Sequence, residues 1–162
     1  MAGEVEILDK PFFRQASEDN TILFLGNIVS VLVSGEDTEG RYATILTEER
    51  KGFEPPPHIH KNEDETFFVL EGQITYYIDD TVIHATPGTY VFAPKGIKHT
   101  FKVNTETAKV LLTVYPSGFE QFINEVGEPI PQQLPPAPDG PPSPEAIKTL
   151  TSIAAKYGIE MK

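Results

Sequence analysis

Between about residue 20 and residue 115 the apolar residues come in short runs rich in Val, Ile, Thr, Phe and Tyr, each closed by Gly, Pro or Asp. This is the rhythm of strands and turns, and it leaves little room for any other architecture. The runs are Ile22–Leu25, Ile28–Val33, Arg41–Thr47, Thr66–Leu70, Gln73–Ile78, Val82–Ala85, Thr89–Phe92, His99–Val103 and Ala108–Tyr115. Gly26-Asn27 reads as a hairpin turn, and Asp79-Asp80, Pro87-Gly88 and Pro94-Lys95-Gly96 read as turns between strands. No helix-length amphipathic pattern interrupts the series. Antiparallel strands at this spacing predict an all-β fold: a sandwich, a jelly roll or a barrel.

After Tyr115 the composition changes. Ser117-Gly118-Phe119-Glu120 matches a capping box, and Phe119, Phe122, Ile123 and Val126 then form one apolar stripe ended by Gly127. Eight of the 15 prolines lie between Pro129 and Pro144, which predicts an extended linker. Ser143 as N-cap and Pro144 at the first helical position start a last helix, which Gly158 stops. Its stripe is Ile147, Leu150, Ile153, Ala154 and Tyr157. The expected organisation is an amino-terminal extension over 1–20, a barrel over 21–116, and a helical, proline-rich extension over 117–162. That extension is expected to pack on its own barrel or on a partner and to carry no chemistry.

The 162 residues contain no cysteine, which excludes disulfide scaffolds, thiolate metal sites and cysteine nucleophiles. A net charge of −11 repels phosphates, so neither nucleic acid nor an anionic membrane is an expected partner. The amino terminus lacks the basic start and apolar core of a secretory signal. The longest apolar stretch, Ile22 to Val33, is too short to span a bilayer. A soluble, cytoplasmic protein is expected. Walker, dinucleotide-binding and serine-nucleophile motifs are absent.

Three of the four histidines fall in two clusters. In an extended strand residues two apart share a face, so His58 and His60 present both imidazoles to one side. After four intervening residues Glu65 can return on the neighbouring strand, where it opens the face of Phe67 and Val69. Glu63 and Asp64 are expected to be solvated loop charges, and His84 a structural histidine. A third imidazole, His99, starts another strand after a Pro-x-Gly turn. Three imidazoles and a carboxylate make an open nitrogen–oxygen set for one divalent transition metal (Fe, Mn, Ni, Co or Cu, with Zn possible), leaving positions for a substrate.

The pattern Gly52-x5-His58-x-His60-x4-Glu65-x6-Gly72, followed after 15 residues by Gly88-x5-Pro94-x-Gly96-x2-His99, resembles the two motifs of the cupin superfamily. One departure is visible: the asparagine expected four residues after His99 falls one place late, at Asn104. The resemblance implies a jelly-roll β-barrel with short carboxy-terminal helices and a metal held by His58, His60, Glu65 and His99. The layout is most similar to small bacterial quercetinase-like members. That likeness gives Glu65 a second, catalytic role as the base that accepts a substrate proton. It implies an oxidoreductase, a dioxygenase acting on a small enol or polyphenol such as a flavonol. A redox-neutral isomerase, hydrolase or decarboxylase and a non-catalytic small-ligand binder remain open alternatives. Phe53, Phe67 and Phe101 are the candidates for the wall of a substrate pocket. Thr66–Leu70 is apolar on both faces, so a homodimer partner is expected to cover the outer one.

Overall fold

The computed structural model describes residues 10–162, so the first nine residues of the expected amino-terminal extension lie outside the described residues. A short 3-10 turn, Glu18–Asn20, leads into β1 (Thr21–Phe24), β2 (Asn27–Val33), β3 (Ala43–Arg50), β4 (His58–His60) and β5 (Asp64–Glu71). There follow β6 (Ile74–Ile78), β7 (Thr81–Ala85), β8 (Tyr90–Ala93), β9 (His99–Val103) and β10 (Thr107–Tyr115). Helices α1 (Phe119–Val126) and α2 (Pro144–Lys156) and a last strand, β11 (Ile159–Met161), complete the chain. The strands form two antiparallel sheets, ordered β1-β2-β3-β10-β5-β8 and β11-β4-β9-β6-β7. This is a jelly roll, one of the architectures the strand rhythm allows and the one the family resemblance implies.

Alternation along the strands builds the interior. Ala43 and Ile45 on β3, Phe67 and Val69 on β5, and Val110, Leu112 and Val114 on β10 are buried, facing Ile74, Tyr76, Ile78 and Val103 of the other sheet. Each fully buried aliphatic side chain contributes about 1.5–3 kcal/mol by leaving water. A satellite cluster of Phe122, Ala154 and Ile159, with Phe24, Phe119, Leu150, Ile153 and Tyr157 against it, joins α1, α2 and β11 to the side of the barrel. The tail therefore lies on its own barrel.

Several local expectations are corrected. The first hairpin turns at Leu25-Gly26, both at positive φ, and Asn27 already pairs with Phe24. Asn27 is drawn into the ladder because its side chain accepts from Arg50 N at 2.8 Å and donates to Phe53 O at 3.2 Å. Strand β3 runs past Thr47 to Arg50, since pairing to β2 and β10 on either side outweighs the charges of Glu48 and Glu49. The Ser117 side chain caps nothing at α1; Glu120 accepts instead from Gly118 N at 2.7 Å and Gly35 N at 3.0 Å. At α2 the Ser143 hydroxyl does accept from Ala146 N, at 3.1 Å, although Ile147 of the expected stripe is exposed. Strand β11, beyond Gly158, was not anticipated. The displaced Asn104 closes its turn by accepting from the Thr75 hydroxyl at 2.8 Å, while its N–H donates to Gln73 O.

Candidate metal centre

Period-two alternation places His58 and His60 on the same side of β4, and Glu65 starts the inward face of β5. Pairing of His58 with His99 in register brings β9 alongside. One donor atom from each of His58, His60, Glu65 and His99 lies within 4.8 Å of all the others. His60 is 1% exposed, Glu65 2% and His99 4%, while His58 sits nearer the surface. The four residues singled out in the sequence thus converge inside the barrel.

The hydrogen bonds around them fix which atoms face the centre. His58 Nδ1 lies 2.9 Å from Pro56 O and His99 Nδ1 lies 3.2 Å from Ile97 O. A carbonyl oxygen can only accept, so both rings carry their proton on Nδ1 and turn a free Nε2 lone pair inward. His60 makes the same arrangement with a carboxylate: its Nδ1 lies 3.2 Å from Glu63 Oε2. Glu65 Oε2 stands 2.8 Å from His99 Nε2 and 3.5 Å from His60 Nε2. His60 Nε2 and Glu65 Oε2 are buried yet have no hydrogen-bond partner. Buried polar atoms without partners are costly, and a cation between them would satisfy both. The donor set fits a first-row divalent metal with nitrogen and oxygen ligands.

The electrostatics differ from group to group. Burial alone would raise the Glu65 carboxyl, but the facing His60, His99 and His58 hold it down at about 2. Burial, with the neighbouring His99 and His60, lowers His58 to about 4, so its lone pair is free at neutral pH. Burial would lower His99 too, but the adjacent Glu65 carboxylate overrides it and raises it.

Glu63 is a correction. It is 3% exposed rather than solvated, and it grips His60 from behind. Asp64 caps the turn at Pro94-Lys95-Gly96 by accepting from Lys95 N at 2.9 Å. His84 is exposed, with Nδ1 3.1 Å from the Thr75 hydroxyl. Of the pocket candidates, Phe67 packs beside His99 with ring centroids 6.3 Å apart, and Phe101, partly buried, lies beyond Tyr76, 5.9 Å from that ring. Phe53 goes elsewhere. It lies under the Arg50 guanidinium at 4.5 Å and in the wall of an outer cleft of about 560 Å³ with Lys51, Leu134 and Ala137. The ring packed edge-on against His60, at 4.9 Å, is Phe119 of α1. Its stripe identified the residue as a docking side chain without indicating that it docks on a ligand.

A double sheet of this topology is a jelly roll, here with a candidate metal site inside it. The family model for the cupin domain matches residues 45–115, and that segment of the chain is a cupin domain. Quercetin 2,3-dioxygenase of Bacillus subtilis is 26% identical over 119 residues, covering 74% of this chain. The chain spans only 35% of that protein's length. Among solved structures, an RmlC-like cupin from Shewanella frigidimarina is similar with a TM-score of 0.57 and 18% identity, over 70% of this chain and 99% of that one. KdgF from Halomonas sp. gives a TM-score of 0.54 and 15% identity, over 71% and 96%. At those identities the two structures bear on the fold alone. Among the described residues no helix is long and apolar enough to cross a membrane.

Proposed function

We propose that this cupin is a metal-dependent oxidoreductase, a dioxygenase acting on a small enol or polyphenol such as a flavonol. The observation that carries the reading is the convergence of three Nε2 lone pairs and the Glu65 carboxylate on one buried point. The similarity to the Bacillus subtilis quercetin 2,3-dioxygenase supports the substrate class. His58, His60, Glu65 and His99 would hold the ion, which is iron, manganese, nickel, cobalt or copper, with zinc as an alternative. Such an ion polarises a bound oxygen and, where redox-active, engages dioxygen.

The chain's own residues do the rest. Glu65 is the catalytic base in this reading: its carboxylate stands at the centre, where the hydroxyl of a bound substrate would come beside it. Phe67, packed on His99, supplies an apolar wall that keeps water from the reacting end, and Phe101 extends that wall behind Tyr76. In this reading residues 21–116 form the working barrel and 117–162 an extension. The active form is a homodimer. Phe68, Leu70, Tyr90 and Phe92 leave the outer face of the β5 and β8 ladder 38–62% exposed, an apolar patch that a second copy would bury.

The test is oxygen uptake by metal-reconstituted protein across flavonols, diketones and phenols, beside elemental analysis of the protein as purified. Turnover that persists under strict anaerobiosis would replace the dioxygenase reading with a redox-neutral one. Glu65→Gln is expected to retain part of the metal and lose most turnover; wild-type turnover in that variant removes the base assignment. Sedimentation at micromolar concentration decides the dimer.

A further inference from the structure

We propose that Glu63 is a positioning residue of the metal centre, fixing the His60 ring and supplying the second negative charge that matches a divalent ion. The inference rests on the reading that His58, His60, Glu65 and His99 hold a metal.

Two of the three imidazoles give their Nδ1 proton to neutral main-chain oxygens, those of Pro56 and Ile97. His60 alone gives it to a carboxylate, at 3.2 Å, with His60 1% and Glu63 3% exposed. A carboxylate behind an imidazole fixes its tautomer and makes its other nitrogen a more basic ligand. The ring is also held on its face, where Phe119 packs at 81° to it. The same turn of chain confines Glu63. A Cβ added at Gly118 would come within 3.0 Å of Glu63 Oε1, so the main chain entering α1 passes directly over the carboxylate. The start of α1 therefore locks both members of the pair.

Charge points the same way. With an ion on the three imidazoles, which are neutral as ligands, the buried centre holds two carboxylates, Glu63 and Glu65. Burying two carboxylates without compensation is strongly unfavourable. One dication brings the group to zero, whereas a centre built on Glu65 alone would be left positive.

The experiment measures Co²⁺ affinity by chelator competition, the visible spectrum of the Co²⁺ form, and the Tm of the metal-free protein. Glu63→Gln keeps the shape and an acceptor but removes the charge, and is expected to weaken Co²⁺ about 10-fold and to shift the spectrum. Glu63→Ala, which also frees the ring, is expected to weaken it by up to about 100-fold. Glu63→Asp keeps the charge and should recover part of what the alanine variant loses. Wild-type affinity and spectrum in Glu63→Gln would overturn the proposal, as would Glu63→Asp binding no better than Glu63→Ala. A fall in metal-free Tm with the Co²⁺ spectrum unchanged would overturn it too, because it would mark Glu63 as a packing residue only. Failure of the wild-type protein to bind Co²⁺ would instead remove the metal reading itself.

Discussion

The two halves of the candidate donor set are held by different parts of the molecule. Glu65 sits on β5, which is paired along its length to β10 on one side and to β8 on the other. His99 sits on β9, paired throughout to β6. His58 and His60 sit on a strand of three residues whose ties to the barrel are the His58–His99 pair and the bond from Gly96 N to His60 O at 2.8 Å. The other edge of that strand is taken by β11, with Ile159 opposite His60, Glu160 opposite Ile59 and Met161 opposite His58. Lys61 N donates to Gly158 O and Lys162 N to Pro57 O, each at 2.9 Å, extending the same ladder. The expectation that the tail carries no chemistry is thus too narrow: it contributes no donor atom, yet it secures the strand that contributes two. In this chain the barrel fixes one half of the set by long strand pairing, and a late segment of chain shares in holding the other.

Removing the tail strand is the largest way to break this contrast. Truncation after Tyr157 deletes β11 and frees the edge of β4, and we expect metal affinity to fall by about 10–100-fold, the range seen when supporting partners of metal ligands are lost. The barrel should keep its far-ultraviolet signature and its cooperative unfolding. Unchanged affinity, measured by chelator competition, would mean that the barrel alone fixes all four ligands. A finer comparison sets Ile159→Ala against Ile45→Ala. Both side chains are buried, and each loss should cost about 2–5 kcal/mol where it acts. Ile45 lies in the main core and Ile159 in the satellite cluster. Denaturant unfolding should register Ile45→Ala chiefly as lost global stability, whereas Ile159→Ala should appear first as weakened metal binding. Matching profiles would erase the distinction.

What the sequence made legible follows the same division. Strand alternation is a local property, so His58 and His60 could be placed on one face, and Glu65 on the inward side of β5, without knowing any partner strand. The turn residues set the spacing that returns His99 to them. Glu63 is buried rather than solvated because the landing point of α1 covers it, where Gly118 approaches the carboxylate and Phe119 meets His60. No periodicity encodes which apolar stripe packs on which imidazole. Strand β11 was invisible because a segment of three residues is too short to show a period, and its strand character comes wholly from the edge of β4. Phe53 was misjudged by proximity. Closeness to His58 in sequence says little once Arg50 draws the ring outward.

The smallest expected effect contrasts two inward carboxylates rather than two ligands. Glu65 is held at about 2 by imidazoles, while Glu49, at the far end of the inward face of β3, has no such company. Burial raises the Glu49 carboxyl to about 7; a hydrogen bond from Thr47 opposes the rise and the charge of Glu54 adds to it. An unfolded glutamate loses its proton near pH 4.5, whereas folded Glu49 keeps it to about pH 7. Between those values the folded state binds more protons, so stability declines as pH rises through that window and stays lower above it. Glu49→Gln removes the titration, and its Tm should gain on the wild type from pH 4.5 to pH 8. Partial solvent access limits the gain to about 1 kcal/mol, or about 2–4 °C for a chain of this size. A difference in Tm independent of pH would mean that Glu49 ionises as an ordinary surface carboxyl. The contrast between the ends of the barrel would then come from the histidines acting on Glu65 alone, with no share from burial at Glu49.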